Sequence, residues 1–139
     1  AIPLHAMLVP IPLVCFALTL LTDLTYSFTA AMLWADMSAW LLTIGLVIAV
    51  FAVLAGLIDF LSDSGIRQLR AAWIHVLGNL AALVLTIFNA LIHTRDAYTS
   101  VVPAGLILST LVVSILAVTA WNGWKMVHRH AVGVREIRS

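Results

Sequence analysis

Five histidines and six carboxylates carry whatever chemistry this 139-residue chain can do. A neutral imidazole is a ligand for haem iron or a transition metal, and it also moves protons near neutral pH. His5, His75 and His130, together with Asp59 and Asn79, are the candidates for such a site. They fall at corresponding ends of successive apolar segments, so a helical bundle brings them to one level. His93 lies about 27 Å from His75 along a continuous helix at 1.5 Å per residue, so it belongs with Asp23 to the opposite level. His128 stands in a basic stretch, where solvation by lipid headgroups explains it. Three chemistries fit the first cluster. They are a haem b held by two imidazoles, a metal held by two or three histidines with Asp59, and a cofactor-free knot of mutually satisfied polar groups.

The elements that must position these residues are legible from composition. Hydrophobic residues make up 63% of the chain and charged residues 9%, against about a quarter charged in soluble domains. Seven basic and six acidic side chains cannot clothe a water-soluble surface, so lipid is the solvent for most of it. Four apolar segments, at about 7–31, 40–61, 71–92 and 101–127, each reach the roughly 20 residues that a spanning helix needs. Helices are expected because backbone groups in hydrocarbon must pair within their own segment. The fold class that follows is an all-α integral membrane protein, a four-helix transmembrane bundle forming one domain over 1–139, with 128–139 as a basic tail.

Punctuation agrees with this division. Residues 62–70 read SDSGIRQLR, a polar turn, and 93–100 read HTRDAYTS. Pro10 and Pro12 mark the start of regular helix in the first span, with His5 in a segment before it. Pro103 is placed in the first turn of the fourth helix, where a missing N–H costs least. Arg67, Arg70, Lys125, Arg129, Arg135 and Arg138 fall on one side if both termini and the second loop are cytoplasmic. Trp34, Trp40, Trp73, Trp121 and Trp124 lie near span ends, as an aromatic belt requires.

Helical periodicity gives the inward faces. On the third span His75, Asn79, Ala82, Thr86, Asn89 and His93 share one line, and Trp73, Leu77, Leu80, Val84, Phe88 and Leu91 lie opposite. On the second, Gly45, Ala49, Ala52, Gly56, Asp59 and Asp63 form a small-residue stripe, and close packing of spans two and three through these faces is expected. Gly105, Ser109, Thr119 and Gly123 share a face of the fourth. The single cysteine, Cys15, permits no intramolecular disulfide and no paired-cysteine metal motif. No phosphate-binding glycine loop, dinucleotide fingerprint, ordered nucleophile or nucleic-acid-binding basic block is present. The start of the chain lacks the basic residues and cleavage site of a secretory signal, so the first segment reads as a mature span.

Four motifs in order resemble the bacterial membrane family catalogued as domain of unknown function 2231. The opening LHAMLVPIPL is similar to the family's His-Pro-Met-Leu-Val-Pro-Phe-Pro start, with Ala6 in place of proline. AGLIDFL, holding Gly56 and Asp59, and WIHVLGN, holding His75 and Asn79, resemble the signatures of its second and third spans. WNGWKMVHRHAVGV resembles its closing run, with Trp124, Lys125, His128 and Ala131 departing from it and the Arg129–His130 pair retained. Relatives fused to Rieske-type iron–sulfur domains, or placed near periplasmic dehydrogenases, imply membrane electron transfer.

The resemblance therefore implies a haem b-binding electron-transfer subunit of the bacterial cytoplasmic membrane, linking a partner redox protein to quinone. It implies an electron carrier or accessory subunit rather than a stand-alone enzyme. His75 is the first expected axial ligand. His130 is favoured over His5 as the second, and Asn79 and Asp59 are expected to orient ligands. A cofactor-free anchor subunit of a larger complex is the alternative. A transporter, with protons passing along His93, Asn89, Thr86, Asn79 and His75, is a third class.

Overall fold

The computed structural model describes residues 4–93 and 101–132. Apolar segments of this length must close their hydrogen bonds internally, and they do so as helices. A one-turn helix α1 (Leu4–Leu8) leads into α2 (Pro10–Thr29), which is followed by α3 (Met32–Ser62), a short α4 (Ser64–Arg67), α5 (Arg70–His93) and α6 (Leu106–His128). With α1 and α2 counted together, four stretches are long and apolar enough to cross a membrane: Leu4–Thr29, Met32–Ser62, Arg70–His93 and Val101–His128. The loop from Thr94 to Ser100, and Arg135 and Arg138 of the tail, lie outside the described residues.

Helix α2 starts at Pro10, whose missing N–H removes one bond from the ladder that would otherwise continue from α1. The chain direction is carried across from α1 by Val9 N–H to His5 O (3.1 Å) and Leu13 N–H to Val9 O (3.3 Å). The first connection is shorter than the polar residues between Thr22 and Ser38 suggest. Ala30 adopts a left-handed conformation (φ 53°) and ends α2, and Ala31 already precedes α3. Residues 32–39 are helical because Ala35 and Ser38 are buried against α2, where the hydroxyls of Ser38 and Thr22 meet. At the other end of α3, Asp63 accepts from Gly65 N–H (2.8 Å) and caps α4. Arg67 donates to the carbonyls of Phe60 and Leu61, which α3 leaves unpaired at its end. Pro103 belongs to a wide turn, Val101–Gly105, rather than to α6 itself, and Val102 in that turn is extended.

The helices form two hairpins, α2 on α3 and α5 on α6, which meet along α3–α5 and α2–α6. The polar stripe of α5 does face inward: Ala82, Thr86, Asn89 and His93 are buried, whereas Trp73, Leu77, Val84, Phe88 and Leu91 are exposed. So much exposed apolar surface fits a bundle whose solvent is lipid. The small-residue stripe of α3 serves more neighbours than the one expected. A Cβ on Gly45 would stand 2.8 Å from Cys15 Cβ and 2.7 Å from the Phe16 ring of α2, whereas Ala49 packs in a cluster with Leu83 of α5. The corresponding notch on α5 is Gly78, against the Thr119 side chain of α6.

Gly45→Leu is expected to cost about 1–3 kcal/mol, as overpacking does. Thermal unfolding in detergent measures this, and an unchanged midpoint would contradict the close approach of α2 and α3.

Candidate functional site

Two polar clusters lie at opposite ends of the bundle. The first is built around His5 and His75, both half-buried. His5 Nδ1 is 2.7 Å from the Ala52 carbonyl on α3. His75 Nδ1 is 2.8 Å from the Thr119 carbonyl on α6. A carbonyl only accepts, so each Nδ1 carries the proton and each Nε2 presents a lone pair. Those two Nε2 atoms face one another at 3.5 Å. The ring centroids are 5.7 Å apart and the planes are nearly perpendicular at 86°. The nitrogens thus lie close to the line joining the rings. Two lone pairs aimed at each other do not form a hydrogen bond. Such an arrangement suits an electron-pair acceptor shared by the two nitrogens.

Glycines hold these rings in place. A Cβ on Gly56 would come within 2.8 Å of His5 Nδ1, and one on Gly123 within 3.0 Å of His75 Cε1. Both glycines, legible in the sequence as packing residues, are recesses for the imidazoles. Each hairpin therefore contributes one histidine, tied to the backbone of its own hairpin and directed across the seam toward the other. A cavity of about 110 Å³ opens at this seam, with His5, His75, Asn79, Asp59 and Met126 among its walls. A smaller one of about 40 Å³ lies on the other side of the pair, where His5, Asn79 and Thr86 supply the polar atoms.

The expected site residues are not all brought together. Asn79 donates to the His75 carbonyl (2.7 Å), which fixes its side chain beside the pair. Asp59 is exposed near the end of α3 and lines the larger cavity. His130 does not stand where the sequence reading favoured it. It is exposed in the turn beyond α6, and no hydrogen bond, ion pair or ring contact joins it to His75. The imidazole that meets His75 is that of His5, because the one-turn α1 extends the line of α2 and packs along α3. His128 stacks on Trp124 with centroids 4.4 Å apart and bonds the Trp124 carbonyl at 2.9 Å, a local contact on the surface of α6. Among the described residues no group of three or more His, Cys, Asp or Glu side chains is arranged to hold a metal ion.

The second cluster is more deeply buried, and sequence reasoning reached only its level. The side chains of Asp23 on α2 and His93 on α5 retain 0% and 1% of their exposure, and His93 Nε2 is 2.8 Å from Asp23 Oδ1. His93 Nδ1 is 2.9 Å from the Asn89 carbonyl. Ser109 on α6 donates to Asp23 Oδ2 (2.6 Å), and Asn89 Nδ2 donates to Ser109 Oγ (2.9 Å). Three helices are thereby joined through one carboxylate. The signal in the sequence was two ionisable residues assigned to the same face of the membrane; their contact depends on the relative rotation of α2 and α5.

A four-span helical bundle with a paired-histidine centre near one end and a buried acid–imidazole cluster at the other defines the class of protein. The chain belongs to the family whose model is described as predicted membrane protein (DUF2231), which matches residues 1–136. Neither the curated proteins nor the solved structures contain a significant match.

Asp23→Ala leaves His93 buried without its counter-charge and is expected to destabilise the bundle by about 3–5 kcal/mol. A shift in the thermal midpoint no larger than that of an exposed substitution such as Asp36→Ala would contradict the pairing.

Proposed function

We propose that this chain is an electron-transfer subunit of the bacterial cytoplasmic membrane that holds a b-type haem between His5 and His75 and links a partner redox protein to quinone. The observation that carries the reading is the pair of Nε2 lone pairs directed at one another from opposite hairpins. Their donor set suits haem iron, since the backbone carbonyls hold each Nδ1–H and leave each Nε2 directed into the seam. Two metal–nitrogen bonds of the usual length need roughly 4 Å between the nitrogens, half an ångström more than the 3.5 Å present. The cavity of about 110 Å³ is smaller than the roughly 300 Å³ at which small-molecule pockets begin, so haem would be held here only with the hairpins set further apart along the seam. The haem supplies one-electron chemistry, while this chain supplies position, polarity and exclusion of water.

Asn79 buttresses the His75 segment, and Asp59 sets the polarity where the cavity meets the end of the bundle. The bias of Lys and Arg supports an orientation with both termini and the α4 turn on the cytoplasmic side, in which the histidine pair is nearer that side.

The test is the absorption spectrum of detergent-purified protein from haem-replete cells, oxidised and then reduced. Near-stoichiometric bands of a six-coordinate b-type haem are expected. His5→Ala and His75→Ala should each abolish them, and His130→Ala should leave them intact. Folded but colourless wild-type protein would overturn the reading in favour of a cofactor-free membrane subunit.

A further inference from the structure

The two Nε2 atoms stand closer together than haem requires, and that separation has a chemistry of its own. With metal–nitrogen bonds of about 2 Å, nitrogens 3.5 Å apart enclose an angle of roughly 120° at the metal, and nitrogens roughly 4 Å apart lie on a straight line through it. Haem needs the straight line, with room for a macrocycle across it. A bare ion needs neither. The ligands are already held as metal-binding imidazoles are. Each Nδ1–H is fixed by a carbonyl, of Ala52 or Thr119, as the outer nitrogen of a metal-bound histidine ordinarily is. The recesses at Gly56 and Gly123 keep both rings pointed across the seam.

The donor set selects among ions. Calcium and magnesium take six or more oxygens, and zinc ordinarily takes four ligands. The seam offers two neutral nitrogens, and among the described residues no third His, Cys, Asp or Glu is grouped with them to hold a metal. Copper(I), a closed-shell monovalent ion, is satisfied by two donors near a line or by three where the angle narrows. Imidazole suits copper, and thioether sulfur favours its monovalent form. The buried Met126 supplies such a sulfur in the wall of the larger cavity, beside His5 and His75. Asp59, three residues beyond Gly56 on α3, borders the same cavity. Its single carboxylate offsets one positive charge. A divalent ion on two neutral ligands would keep an unbalanced charge beside an apolar bundle, which is costly. The one thiol of the chain, Cys15, lies against Gly45 in α2 and lines neither cavity.

We propose that the His5–His75 pair, with the seam closed, binds a single copper(I) ion. The ion enters and stays as copper(I), so binding transfers no electron. The proposal rests on the haem reading only in using the same two nitrogens, and it stands whether or not haem binds. Haem needs those nitrogens with the hairpins further apart, so the two occupants exclude one another.

The experiment uses the full chain, purified in detergent from haem-deficient cells and titrated without oxygen against copper(I) held by the coloured chelator bicinchoninate. Wild-type protein is expected to withdraw one equivalent of copper. His5→Ala and His75→Ala are each expected to lose that equivalent, and Cys15→Ser is expected to keep it. X-ray absorption by the copper-loaded wild-type protein depends on no variant, and it is expected to show two imidazole ligands. Folded wild-type protein that withdraws no copper overturns the proposal. So does an equivalent retained by either folded histidine variant or lost from folded Cys15→Ser, or a copper shell without imidazole. Haem loading is read separately, from the absorption bands of protein from haem-replete cells, so either reading can fail without the other.

Discussion

A carboxylate with no exposed surface inside an apolar bundle is the constraint to which much of this structure answers. Asp23 cannot be solvated by lipid, and an uncompensated charge there would cost several kilocalories per mole. Its satisfaction requires an imidazole from α5 and a hydroxyl from α6 at the same time. That requirement fixes the rotation of three helices about their axes at one end of the bundle. With those rotations fixed, the polar line of α5 faces inward along its whole length, and His75 is carried to the seam at the other end.

The glycines complete this from the opposite direction. In a bilayer there is no water-driven attraction between helices, so association depends on close contact and on polar groups. Gly45 and Gly78 admit neighbouring side chains within each hairpin, whereas Gly56 and Gly123 admit the imidazoles. One residue type thus serves two purposes on the same faces. Helix packing brings the hairpins together, and the recesses decide how far each histidine can reach across the seam. The pair at 3.5 Å is the combined result of four backbone positions and two carbonyl acceptors.

Much of this was legible in the residues. Length and apolarity located four spans, and the period of α5 identified its inward face because Trp73, Leu77 and Phe88 have no use inside a bundle of small residues. His5 and His75 were recognisable as neighbours in level. What the sequence could not reveal was how the α3 stripe would be shared, with Gly45 admitting α2 and Ala49 bordering both α2 and α5, since small residues are equally suited to either. Nor could it show that α1 extends the line of α2 along α3 to deliver His5, while His130 passes beyond the end of α6. Both outcomes depend on the lateral order of helices, and an apolar stripe carries no label for its partner. The left-handed turn at Ala30 was equally hidden, because alanine gives no sign of a positive φ.

That turn bears on how the protein enters the membrane. Only Ala30 and Ala31 separate α2 from α3, too few residues to leave a free loop. The first two spans are therefore geometrically suited to cross the bilayer together as a single hairpin. Asp23 would then cross before His93 has been synthesised. Its partners, the His93 ring and the Ser109 hydroxyl, both belong to the second hairpin. The carboxylate is thus satisfied only at the joining of the two halves, which makes their pairing, rather than the turn within either half, the step that completes the bundle.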